Sequence, residues 1–121
     1  MNPRTPATTD LPGIGVARLG VALGAGPAGW VVHLIGSVAL VPYACDTDRT
    51  WTLHALTAAT LLVAGAGLVA SFGLRRAARG EADDHGDRGR FLGTLGLALG
   101  ALFTFLIALE GALPLAVEPC R

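Results

Sequence analysis

Three apolar stretches, residues 26–43, 51–74 and 91–113, constrain this 121-residue chain more than any other feature. Each is close to the ~20 residues that an α-helix needs to cross the hydrocarbon core of a bilayer. In lipid the only backbone geometries that satisfy their own polar groups are the helix and the closed barrel, and unbroken apolar runs of this length read as helices. The expected fold is an all-α membrane protein, an antiparallel three-helix transmembrane bundle with short connections.

Composition agrees. The chain is 52% hydrophobic and 15% charged, with a mean hydropathy of +0.57. A water-soluble domain of this size buries too small a share of its surface to hide so much apolar area. The net charge is zero, with nine basic and nine acidic residues, so no basic field exists to attract nucleic acid. Lipid is the expected surrounding, and nucleic acid is not an expected partner.

Around this core, residues 1–12, rich in Pro and Thr, read as a disordered tail. Residues 13–25 stay apolar around Arg18 and read either as an inner extension of span one, kinked at Pro27, or as an interfacial helix. Residues 114–121 form an outer C-terminal tail. Val41-Pro42-Tyr43-Ala44-Cys45 faintly resembles a lipoprotein processing site, but Pro42 and Tyr43 stand where that site takes an aliphatic and a small residue. A charged segment before the apolar run is missing too, so span one is expected to be retained as a helix.

The arginines assign sides. Arg4 and Arg18 precede span one, and Arg75, Arg76, Arg79, Arg88 and Arg90 lie between spans two and three. If all three spans cross, these seven of the nine arginines share one side, leaving Arg49 and Arg121 for the other. The positive-inside rule then predicts a cytoplasmic N-terminus and inner loop, with the C-terminus on the extracytoplasmic side. Glu81, Asp83, Asp84 and Asp87 in the same loop do not oppose this, because the rule counts Lys and Arg rather than net charge.

That threading puts both cysteines, Cys45 and Cys120, on the extracytoplasmic side, where disulfides persist. The tail after Pro114 reaches ~20 Å when extended, enough to cross a bundle whose neighbouring axes lie ~8–10 Å apart. A Cys45–Cys120 disulfide is the favoured reading; two independent thiols or a pair of metal ligands are the alternatives. Neither cysteine belongs to a Cys-x-x-Cys unit, so redox catalysis is not expected.

Small and hydroxylated residues mark the seams by which helices associate in lipid. Span two carries Thr57, Thr60, Ala64, Gly67 and Ser71 at alternating steps of three and four; span three carries Gly93, Gly96 and Gly100, continued by Phe103, Ile107 and Glu110; span one carries Gly29, His33, Gly36 and Ser37. These are read as contacts within one chain.

Ionisable residues at membrane depth mark function, because charge in hydrocarbon is costly. His33, His54 and Glu110 are the three candidates. Helix rise puts His54 and Glu110 at similar depth near the outer interface, which predicts a hydrogen bond or ion pair between them, with His33 well below. His33 and His54 differ in depth by roughly 13 Å on that measure, which speaks against a bis-histidine haem. Asp46, Asp48 and His54 lack the scaffold and ligand count of a metal site, and Asp46-Thr47-Asp48 reads as a turn leading to span two with Thr50 as N-cap. No catalytic residue, metal or cofactor is expected.

In its order of features the chain resembles uncharacterised three-span bacterial membrane proteins that are often associated with haem–copper oxidase components. The resemblance is carried by Gly26-Pro27 before Trp30, Val41 to Cys45, His54 early in span two, the arginine-rich loop, Phe91-Leu92-Gly93 and Glu118-Pro119-Cys120. It implies an accessory or structural subunit of a larger membrane complex, a respiratory oxidase among the candidates, with other membrane subunits as partners and no catalysis of its own. The alternative is a small homo-oligomeric transporter, pore or holin-like protein that uses Glu110, His33 and His54.

Overall fold

A computed structural model describes residues 4–80 and 84–121, and the side chains of residues 15–80 and 86–121. The described chain is all-helical: α1 (Arg4–Thr47), α2 (Trp51–Ala77), a single 3-10 turn (Ala78–Gly80) and α3 (Asp84–Ala116). Three segments, Gly15–Thr47, Trp51–Gly80 and Gly86–Ala116, are long and apolar enough to span a membrane.

α1 is longer than its apolar core. Its helical backbone already includes residues 4–12, where composition predicts a disordered tail, and residues 13–25 continue span one directly. Pro27 and Pro42 do not end it. The reason for the extension lies in what 13–25 can pack against: Ala22 is buried, and the Arg18 guanidinium lies along Gly73 of α2, where the absent Cβ makes room for it. Residues 1–3, Glu81 and Asp83 lie outside the described residues.

The α1–α2 connection closes α1 with a Schellman motif. Asp48 is left-handed (φ 54°), a conformation that Asp tolerates better than most residues, and the Arg49 amide donates to the Ala44 carbonyl at 2.9 Å. Thr50 occupies the N-cap of α2, as predicted, but its side chain makes no capping bond. Thr52 bonds back to the Arg49 carbonyl instead, through its amide (3.1 Å) and its hydroxyl (2.8 Å).

Close approach of backbones sets the register. A Cβ on Gly29 would meet the Thr60 carbonyl at 3.2 Å, and one on Gly67 would meet the Val21 carbonyl at 3.2 Å, so rising positions of α1 face falling positions of α2. Along α3, Gly93 faces the backbone of Arg75, Gly96 faces Ser71 and Gly100 faces Leu68, again in reverse order. α1 and α3 rise together, with Gly26 at Gly100 and Gly29 at Ile107. The seams read from sequence are therefore intramolecular: Gly29 and His33 are buried on α1, Thr60, Ala64, Gly67 and Ser71 on α2, and Gly93, Gly96, Gly100 and Ile107 on α3, while Gly36, Ser37, Thr57, Phe103 and Glu110 are half-buried. The Ser71 hydroxyl crosses the seam to donate to the Ala22 carbonyl (3.0 Å). Sequence reasoning missed Ala22, Gly26 and Ala44, which are equally buried.

Candidate functional site

Cys45 and Cys120 are joined by a disulfide, with Cα atoms 5.4 Å apart. This bond fixes a common level for α1 and the C-terminal tail, and the polar cluster lies beneath it. His33 stands twelve residues before Cys45, and Glu110 ten before Cys120. On two helices that rise together, those offsets bring the two side chains to one depth.

They meet directly: His33 Nδ1 lies 3.3 Å from Glu110 Oε2. Trp30, one helical turn before His33 and on the same face, donates its indole N–H to Glu110 Oε1 at 3.1 Å. The other His33 nitrogen, Nε2, lies 3.1 Å from the Thr57 hydroxyl on α2, which is itself 3.0 Å from the Leu53 carbonyl. The chain Trp30, Glu110, His33, Thr57 thus ties all three helices at one level. Trp30 is further fixed against Phe103, ring centroids 5.5 Å apart.

This corrects the predicted pairing. Glu110 bonds His33, whereas His54 is exposed on the outer face of α2 and takes no part in the cluster. Depths counted from the ends of apolar runs misplace His33, because α1 continues to Thr47 and rises past the point where α2 begins. Trp30 was named from sequence only at the entry to span one and not as a partner of Glu110; its spacing of three from His33 was the available signal. Thr57 was placed on the seam without its bond to His33.

The cluster is well matched chemically. His33 is 3% exposed, a burial that demands hydrogen-bond partners on both ring nitrogens. Two proton placements satisfy the same heavy-atom geometry. With the proton on Nδ1, the ring donates to a Glu110 carboxylate and accepts from the Thr57 hydroxyl. With it on Nε2, the ring donates to Thr57, the hydroxyl donates to the Leu53 carbonyl, and Nδ1 accepts from a protonated Glu110. The second placement holds one proton more than the first, on the Glu110 carboxyl, and the arrangement accommodates either without moving an atom heavier than hydrogen.

Above the pair lies a cavity of about 530 Å³, lined by His33, Thr57 and Glu110 at one end and by Leu34, Ser37, Val41, Leu53, Leu113, Pro114, Val117 and Pro119 elsewhere. No group of three or more His, Cys, Asp or Glu side chains with the geometry of a metal site occurs among the described residues. Asp46 and Asp48 are exposed in the turn after α1. Compared with known proteins, the chain matches no family model, no curated protein and no solved structure.

Proposed function

We propose that this chain is an antiparallel three-helix bundle of the bacterial cytoplasmic membrane, N-terminus inside and C-terminus outside, and a small accessory or structural subunit of a larger membrane complex. The observation that carries this reading is the large apolar area that the three helices leave uncovered. Val38 and Leu62 are each 76% exposed and Val69 74%, joined by Ile35, Phe72, Phe91 and Phe105 around the bundle. Such faces need lipid or other membrane helices against them. The seams between the helices are meanwhile filled by glycine and backbone, which leaves the outward faces for a partner. A respiratory oxidase as the host complex rests on the resemblance in sequence alone.

Purification in mild detergent tests the reading. A stoichiometric membrane partner should co-migrate with the chain, and a homogeneous homo-oligomer that conducts ions when reconstituted would overturn it. The second reading, a transporter or pore, is favoured by one observation, the part-buried His33–Glu110 pair, whose heavy-atom geometry accommodates one proton more or fewer on the carboxyl. Glu110→Gln separates the two. Glutamine keeps one acceptor for Trp30 and a donor for His33, and interhelical hydrogen bonds in membranes average below ~1 kcal/mol. Assembly should therefore survive the change, whereas proton movement through the carboxyl would be lost while expression stays normal.

Orientation is tested separately. Arg18 packs on Gly73 and Arg75 on Gly93, which gathers the arginine-rich segments at one end of the bundle. A reporter active only in the cytoplasm should work when inserted within 77–86 and fail when fused after Arg121. The opposite pattern would reverse the proposed threading.

A further inference from the structure

We infer that the cavity above the His33–Glu110 pair is a binding site for a small hydroxyl-headed amphiphile, whose O–H group seats on Glu110 and whose hydrocarbon body lies along Leu34, Val41, Leu53 and Val117. The volume, about 530 Å³, falls within the ~300–1,000 Å³ typical of small-molecule sites. Its polarity is one-sided, with the acid, imidazole and Thr57 hydroxyl gathered at one end and mostly aliphatic walls elsewhere.

The hydrogen-bond inventory at that end specifies the head group. A carboxylate has about four lone-pair sites, and among the described residues Glu110 has hydrogen-bond partners in Trp30 Nε1 and His33 Nδ1 alone. Its side chain is 29% exposed, and it lines the cavity. One turn on, Pro114 has no N–H to offer the Glu110 backbone carbonyl. The imidazole and the Thr57 hydroxyl are already engaged with each other. What this end lacks is a donor, so a ligand that brings an O–H completes it, while an ether or alkane of the same size leaves a buried acceptor unmet.

The mouth is defined as well. Val117 and Pro119 belong to the tail that the Cys45–Cys120 bond clips across the bundle, so the covalent clip holds the outer wall of the site. Entry from the bilayer rests on the membrane placement proposed above; the head-group preference does not.

The test uses the full chain in lipid nanodiscs and a 4-alkylphenol with a photoreactive diazirine in its tail, beside the methyl ether of the same compound. The phenol should label peptides containing Leu34 to Val41 or Leu113 to Val117 at least tenfold more strongly than the ether. Ser37→Phe, which fills the cavity from a small lining residue, should abolish that labelling while the disulfide still forms. Glu110→Leu should remove the preference for the phenol. Equal labelling by phenol and ether, labelling confined to other peptides, or labelling that survives Ser37→Phe in the folded protein would each overturn the site. Competition by unlabelled 4-decylphenol or by a monoacylglycerol supports it and distinguishes a phenolic from a lipid source, whereas competition by neither overturns it. If the chain does not enter nanodiscs, the membrane reading fails, and the same phenol-to-ether comparison in detergent micelles decides the site on its own.

Discussion

Replacing Cys45 and Cys120 by serine should lower the thermal stability of the detergent-solubilised protein by about 2–5 kcal/mol, the range for native disulfides in small domains. The bond joins positions 75 residues apart, and on the chain-entropy account a loop of that length contributes about 4–5 kcal/mol. Helices that stay inserted in lipid or detergent already restrict the unfolded chain, which shifts the expected loss toward the lower figure. The effect is also local. Without the bond, Val117 and Pro119 are released from the cavity wall, so the Leu34 and Val117 region should become accessible to small probes before the rest of the bundle loosens. Thiol alkylation of the intact wild-type protein should label neither cysteine, and reduction should change its electrophoretic mobility as a monomer. Free labelling of both thiols in oxidatively isolated membranes would contradict the bond and the proposed outward placement of the C-terminus together.

Gly96→Leu is expected to cost about as much, by a different route. A Cβ at Gly96 would stand 3.0 Å from the Ala22 carbonyl and press on Ser71 from the other side, so it meets two helices at once. The first contact is backbone, which cannot swing aside, and the second breaks the hydrogen bond from Ser71 to the Ala22 carbonyl. Overpacking a tight interior site typically costs about 1–3 kcal/mol, and the branched leucine at a three-helix junction belongs at the top of that range or above it. Gly65→Leu is the control, because nothing lies within 4 Å of a Cβ there. It should leave the midpoint of thermal unfolding within about 3 °C, since outward positions away from such features change stability by less than ~0.5 kcal/mol. Equal losses for the two variants would mean that the glycines of α3 are not the packing seam.

The seam itself was legible in the sequence. Residues at steps of three and four lie on one helix face, and in an apolar segment a face of Gly, Ala, Ser and Thr is where backbones approach closely. That argument picked Thr57, Thr60, Ala64, Gly67 and Ser71 on α2 and Gly93, Gly96 and Gly100, continued by Phe103, Ile107 and Glu110, on α3; Thr57, Phe103 and Glu110 are half-buried and the rest are buried. The Cys45–Cys120 bond followed from the reach of the tail and from having both thiols after odd-numbered spans. The turn before α2 was legible in part: Thr50 is the N-cap, but the Asp48 left-handed turn places the bonding on Thr52.

The pairing of the polar residues within the apolar helices was not legible, although each of the three was singled out. Periodicity reports which face of a helix a residue occupies, but contains no reference for sliding one helix along another. The sequence by itself determined three apolar helices, their small-residue faces and the residues of costly polarity. Only the tertiary structure decided that Glu110 meets His33 and Trp30 rather than His54, that α1 extends far beyond its apolar core, and that a cavity opens between the pair and the disulfide. The physical reason is that axial register is set by a few backbone contacts between distant residues, Gly26 at Gly100, Gly29 at Thr60, Gly93 at Arg75. A shift of one helical turn, ~5.4 Å, exchanges every polar partner while leaving the hydropathy pattern unchanged.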